Sequence, residues 1–164
     1  MPGSSLRVIR GERRGHYVIG GYVGGPMKLR DGRYLRVYLG LSIQGTSTGP
    51  RLRVINSGYQ YQSDQDGDKW IFRYDYERKP HRPYPPTHFH VKGKLTEDCL
   101  PSNKSLEEVH FPATRVSLEA VIRLLIEQFG ISPFARRAVW RRVLTESERE
   151  FLNIAHRAAS GPAR

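Results

Sequence analysis

Apolar and polar positions alternate with a period of two through much of the first 112 residues, the mark of strands with two unlike faces. The clearest case is Tyr34 to Ile43, where Leu35, Val37, Leu39 and Leu41 share one face and Tyr34, Arg36, Tyr38 and Ser42 the other. Its apolar face is expected in the core. Shorter strands are predicted at Leu6 to Arg10 and His16 to Val23, punctuated by Gly11, Gly20-Gly21 and Gly24-Gly25-Pro26. Leu52 to Tyr61 reads as a further strand, with Leu52, Val54 and Asn56 in alternation before Ser57-Gly58, where a bend is expected. SDQDGD then reads as an acidic hairpin turn, because Asp-Gly favours tight hairpins. Asp64, Asp66 and Asp68 do not fit a calcium loop: Gly67 comes two residues early and no glutamate closes the spacing.

The stretch around which the chain is organised runs from Lys69 to Gly93. Trp70, Phe72, Tyr74 and Tyr76 alternate with Ile71, Arg73, Asp75 and Glu77, giving an aromatic face and a mostly charged one. The aromatic face is read first as core and second as a stacking platform for bases. A connection rich in proline and basic residues follows, with Arg78, Lys79, His81 and Arg82 among Pro80, Pro83, Pro85 and Pro86. Then comes His88-Phe89-His90-Val91. At i and i+2 of a strand both imidazoles project from one face, roughly 6 to 7 Å apart. Val109 to Pro112 reads as a last short edge strand.

Beyond it the period changes. Ser117 is placed to cap a helix in which Leu118, Val121, Ile122, Leu125, Ile126 and Phe129 follow i, i+3, i+4 spacing, with Gly130 at its C-terminal end. Ser132-Pro133 predicts the start of a second helix over Phe134 to Leu144, and Thr145 with Glu148 forms a capping-box pattern for a third through about Ala158. The chain therefore reads as one α+β domain over residues 1–164: an antiparallel sheet from about 1 to 112 packed with helices over 117–159. With 164 residues it is long enough to bury on the order of 70% of the surface of its unfolded chain.

Charge adds a partner to this picture. Lys and Arg number 27 against 16 Asp and Glu, a net charge of +11, which points to a polyanion: RNA or another nucleic acid, or an acidic protein. The basic residues gather at Arg13-Arg14, Arg78 to Arg82, Arg136-Arg137 and Arg141-Arg142. A single cysteine, Cys99, excludes an internal disulfide framework and a multi-cysteine zinc site. No segment has the roughly 18 apolar residues of a membrane span, and the N-terminus lacks the apolar run of a signal peptide. A reducing cytoplasm is the expected compartment.

The candidate chemistry centres on His88 and His90. Two imidazoles beside Asp75 and Arg73 suit metal-independent RNA cleavage: one takes the 2′-hydroxyl proton, the other protonates the leaving 5′-oxygen. Arg73, Arg78 or Lys92 would steady the charge gained by the phosphate, and Asp75 would orient an imidazole if the two strands pair antiparallel. Lys79, Arg82, Arg137 and Arg141 complete the candidate substrate contacts, the last two on a helix whose basic side can meet phosphates or an acidic segment. No cofactor is required. His-x-His also admits a surface pair, a structural hydrogen-bonding pair, or two metal ligands with His81, His110 or Asp75 as the third. A basic module that binds nucleic acid without cleaving it is the remaining alternative.

The run FRYDYERKPHRPYPPTHFHV, then VHFP, then SLEAVIRLLIEQF, resembles the TumE-type toxins of bacterial toxin-antitoxin pairs. The matching positions are Tyr74-Asp75, His88, His90, Phe111 and Leu118 to Phe129, within about Lys69 to Gly130. The resemblance implies a growth-inhibiting protein neutralised by a partner antitoxin, with RNA as its target.

Overall fold

The computed structural model describes residues 7–10, 16–47, 49–80, 85–92, 110–111 and 114–159, and the chain divides into two compact units, Met1–Leu95 and Thr96–Arg164. The first unit is a sheet. Its strands are β1 (Arg7–Arg10), β2 (His16–Tyr22), β3 (Met27–Lys28), β4 (Tyr34–Thr46), β5 (Gly49–Gln62), β6 (Trp70–Glu77) and β7 (Thr87–Val91). They pair antiparallel in the order β1-β2-β4-β5-β6-β7, with β3 added beside β4. Short connections between chain neighbours make antiparallel pairing the natural outcome.

The alternation predicted for β4 and β6 holds in part: Leu35, Val37, Phe72 and Tyr74 are buried as expected, Leu39, Leu41, Trp70 and Tyr76 are half-buried, and Ile71, expected on the charged face, is buried where the β5–β6 register shifts. Leu35 lies opposite Tyr61, Tyr61 opposite Phe72 and Phe72 opposite Val91; the next row on that face is Val37, Tyr59, Tyr74 and Phe89. Leu35, Val37, Tyr59, Tyr61, Phe72 and Tyr74 are all buried, Tyr61 and Phe72 completely. Ring centroids fall 5.4 Å apart for Tyr61 and Phe72, 5.8 Å for Phe72 and Phe89, and 4.7 Å for Tyr74 and Phe89. Each such ring contributes about 2 to 3 kcal/mol by leaving water, so this face fixes the β6–β7 register. The Tyr61 hydroxyl donates to Asp31 Oδ2 at 2.6 Å, tying the turn before β4 to β5.

The Asp-Gly turn between β5 and β6 is acidic and tight, as expected: the Lys69 and Asp68 amides donate to the Asp64 carboxylate, Ser63 N donates to the Lys69 carbonyl, and Gly67 takes φ +94°. Ser57-Gly58 does not bend the chain. β5 runs straight through it, because Gly58 is paired on both sides, to Tyr38 and to Asp75. Irregularities lie elsewhere: between Gly40 and Leu41, where β5 carries Ile55 as an extra residue, and between Tyr61 and Gln62, where β6 carries Ile71 as one.

The second unit is helical. Ser117 caps α1 (Leu118–Glu127), its Oγ accepting from Ala120 N at 3.0 Å, and Gly130 ends it at φ +66°. Of the predicted stripe, Val121, Leu125 and Phe129 are buried and Leu118, Ile122 and Ile126 half-buried, while Leu124, outside that stripe, is also buried. The expected second and third helices are one, α2 (Arg137–Ala159). No Gly or Pro interrupts that stretch, and Glu148, instead of closing a capping box on Thr145, reaches α1: Arg123 Nη1 donates to its Oε2 at 2.6 Å and Ser117 Oγ to its Oε1 at 3.2 Å. The start also lies later than Pro133, with Val139 N and Trp140 N both donating to the Arg136 carbonyl. Trp140 and Leu144, one turn apart, are the buried side of α2. His110 and Phe111 are not strand; Phe111 lies 6.2 Å, ring to ring, from Phe129, while Val109 and Pro112 lie outside the described residues. Among the described residues no helix is long and apolar enough to cross a membrane.

Candidate active site

The polar face of β6 and β7 gathers the candidate groups around one carboxylate. Asp75 is paired with His88 and Arg73 with His90, so the strand register turns two separate sequence motifs into four adjoining side chains. Asp75 Oδ2 lies 2.6 Å from Arg73 Nε, 3.3 Å from His90 Nε2 and 3.9 Å from His88 Nε2. The imidazoles meet edge to face with centroids 4.8 Å apart. Side-chain exposure is 18% for Asp75, 16% for His88 and 43% for His90, so the cluster is open to solvent mainly through His90.

Local chemistry makes the two histidines unequal. His88 Nδ1 lies 3.2 Å from the Pro85 carbonyl. A carbonyl only accepts, so this contact assigns a proton to Nδ1 and leaves Nε2 as the exchanging nitrogen. Partial burial lowers the pKa of His90; Asp75 opposes that shift, while Arg73 and His88 reinforce it. His90 is therefore largely unprotonated near neutral pH. Asp75 has room because β5 offers Gly58 opposite it: a Cβ there would approach Asp75 Oδ1 to 3.0 Å. The same row continues through Tyr38 on β4 to Tyr22 on β2, which stack edge to face at 5.6 Å.

The other predicted contacts distribute unevenly. Arg73 belongs to the cluster and also lies over the Trp70 ring at 5.5 Å. The Lys92 ammonium turns to the Asp68 carbonyl and stands 5.7 Å from the Trp70 ring centroid. Arg78 and Lys79 line a cavity on the sheet with Arg53 and Asn56. Arg137 and Arg141 lie on α2, in the helical unit, where Arg141 pairs with Glu127 at 2.9 Å. Arg82, His81, Arg13, Arg14 and Cys99 fall outside the described residues. The sequence pattern suggested Gly58 only as a bend, not as the residue that leaves room for Asp75, and gave no sign of the Pro85 carbonyl. A glycine in the middle of an otherwise regular strand was the available signal for the first; the second is a backbone group, which no residue type announces.

Asp75, His88 and His90 can also bring one ligand atom each within 4.8 Å of one another, a set able to hold a metal ion. Arg73 already occupies the same carboxylate oxygen, and its positive charge opposes a cation there.

An antiparallel sheet with an Asp-His-His cluster on its polar face, followed by a helical unit, defines an α+β protein with a candidate acid-base site. The chain matches the family model described as Toxin TumE over residues 9–129, and it belongs to that family. The match takes in nearly the whole sheet and α1, well beyond the segment that carried the resemblance in sequence. Membership places the protein among toxins of toxin-antitoxin systems and implies a cognate antitoxin. Neither a curated protein nor a solved structure matches the chain.

Proposed function

We propose that the protein is a cytoplasmic, metal-independent endoribonuclease, the toxin of its pair. The observation that carries this reading is the geometry of two imidazoles, 4.8 Å apart, facing one carboxylate on a sheet of a strongly basic chain. His90, unprotonated near neutrality, takes the 2′-hydroxyl proton as that oxygen attacks the adjacent phosphorus. His88, protonated on Nε2, gives its proton to the 5′-oxygen as the P–O5′ bond breaks, leaving a 2′,3′-cyclic phosphate and a 5′-hydroxyl. Asp75 orients the imidazoles and favours the protonated state of His90. Arg73 offsets the charge that grows on the phosphate oxygens. The antitoxin meets the toxin through an acidic segment that competes for the same cations.

The test is cleavage of a labelled mixed-sequence RNA in EDTA by the wild type and by the His88→Ala/His90→Ala protein. Cutting by the wild type alone is the expected result. Cutting that stops in EDTA and returns with zinc or manganese would favour the second reading, a metal held by Asp75, His88 and His90, for which the 4.8 Å clustering of ligand atoms is the specific support. Equal, salt-sensitive RNA binding by both proteins without any cutting would leave a binding module.

A further inference from the structure

The polar face carries a second basic feature, next to the histidine cluster and not part of it. One same-face step along β6 from Asp75 stands Glu77, opposite Asn56 on β5, which in turn lies opposite Gly40 on β4. That row is low. Gly40 has no side chain, and Asn56 lies across it, its Oδ1 buried where a Cβ would collide. The extra residue at Ile55 then displaces the strand, so that Arg53 comes opposite Ser42. The result is a cavity of about 470 Å³, lined by Arg53, Arg78, Lys79, Asn56, Ser42 and Glu77 among others. Three cations meet one acid there. Arg53 is crowded by its own kind: Arg51, then partial burial, then Arg78 lower its pKa. None of the ion pairs among the described residues uses Arg53, Arg78 or Lys79.

Like charges held together on a partly buried surface are repelled until an anion arrives, and a guanidinium pair suits the oxygens of a phosphodiester. From the Tyr38–Gly58–Asp75 row to the Ser42–Arg53 pair is two same-face steps, about 13 Å along the strands, a span of about two phosphate steps along a stretched single strand. We propose that this cavity is a phosphate subsite for single-stranded RNA, in which Arg53 and Arg78 hold a phosphate one or two places along the strand from the one at His88 and His90. The proposal rests on the ribonuclease reading for the identity of the ligand, and on the cavity alone for its location. It assigns Arg53, which no motif singled out, a substrate-binding role.

A consequence is that a dinucleotide is a poor substrate. Adding one or two nucleotides on the side that reaches the cavity is expected to raise kcat/KM roughly tenfold or more, the worth of a charge-assisted contact. Arg53→Gln should abolish that gain and Arg53→Lys should retain part of it, while Lys28→Gln on β3, a charge removed elsewhere on the sheet, should behave as wild type. Binding is measured in parallel on a His88→Ala/His90→Ala background by fluorescence anisotropy of a labelled tetranucleotide. There Arg53→Gln should weaken binding roughly tenfold and reduce the salt slope by about 0.7, one phosphate contact to a single strand. Circular dichroism and the melting temperature confirm that each variant folds. If wild type cuts RNA but Arg53→Gln keeps both the length gain and the salt slope, the subsite is overturned and the ribonuclease reading stands. If nothing cuts but Arg53→Gln still loses binding and slope, the subsite stands and the ribonuclease reading falls. Loss of poly-glutamate binding in Arg53→Gln with RNA binding unchanged would overturn the proposal in favour of an acidic protein as the occupant.

Discussion

Two carboxylates, Asp75 on β6 and Glu148 on α2, each hold an arginine nitrogen at 2.6 Å and are exposed to a similar degree, 18% and 22%. Their remaining partners separate them. Glu148 turns its other oxygen to the Ser117 hydroxyl, the cap of α1, so it joins two helices through groups that do not titrate near neutrality. Asp75 turns to two imidazoles, which do. The same ion-pair chemistry thus makes a clasp in one unit and a candidate proton-transfer site in the other. The choice is made by what the neighbouring strand or helix supplies.

The sharpest break of this comparison is removal of the imidazoles. His88→Ala or His90→Ala should lower RNA cleavage by a factor on the order of 100 to 10,000 while leaving the melting temperature within a few degrees of wild type. A variant that cuts normally would put Asp75 back beside Glu148 as a structural residue. Asp75→Asn, which keeps the shape and removes the charge, should cost about 10- to 100-fold in rate, the usual scale for a group that orients a reactive one. Because Asp75 raises the pKa of His90, the same change should push that pKa further below its ordinary value. The acid limb of the pH-rate profile then moves to lower pH, which NMR titration of the imidazole protons reads independently.

Glu148→Gln tests the other half. It should lower stability by about 1 kcal/mol, seen as a lower urea midpoint, with RNA cleavage unchanged. A loss of cleavage without loss of stability would mean that the two carboxylates are not divided as described.

The smallest effect concerns pH and stability. The folded-state pKa of His90 lies below the unfolded value, about 6.5. Between those two values the unfolded chain binds more protons, so stability rises with pH across that window. The penalty is absent well above the unfolded value and grows as pH falls through it. Replacing His90 by Gln should therefore flatten the urea midpoint on the acid side, and a midpoint that falls equally in both proteins would assign the dependence to other groups.

Much of this architecture is carried by short-range pattern. Period-two alternation placed β4 and β6 and their buried Leu35, Val37, Phe72 and Tyr74, though not Leu39 or Trp70, which stay half-buried, or Ile71, which is buried, and the Ser117 cap, apolar stripe and Gly130 placed α1, because each of these signals acts within a turn or a few residues. The same locality misled at Thr145, where a good capping box lies inside a continuous α2: a capping pattern shows what can end a helix, and the pairing of Glu148 with Arg123 supplied a competing use for the same carboxylate. Gly58 misled in the same way, since a glycine permits a bend but pairing on both sides removes the freedom.

The sequence by itself determined an α+β chain, strongly basic, with two imidazoles on one face of a strand and a carboxylate on one face of another. Only the tertiary structure decided that these faces are the same one. The β6–β7 register brings Asp75 opposite His88 and Arg73 opposite His90, and a slip of one residue would have sent both imidazoles to the aromatic side. That register is held by Tyr74 against Phe89 and Phe72 against Val91 on the far face, and no local pattern can state a pairing between strands that a proline-rich connection separates. The Arg53 cavity was beyond sequence for the same reason, since it exists where a missing side chain at Gly40 and an extra residue at Ile55 meet across two strands.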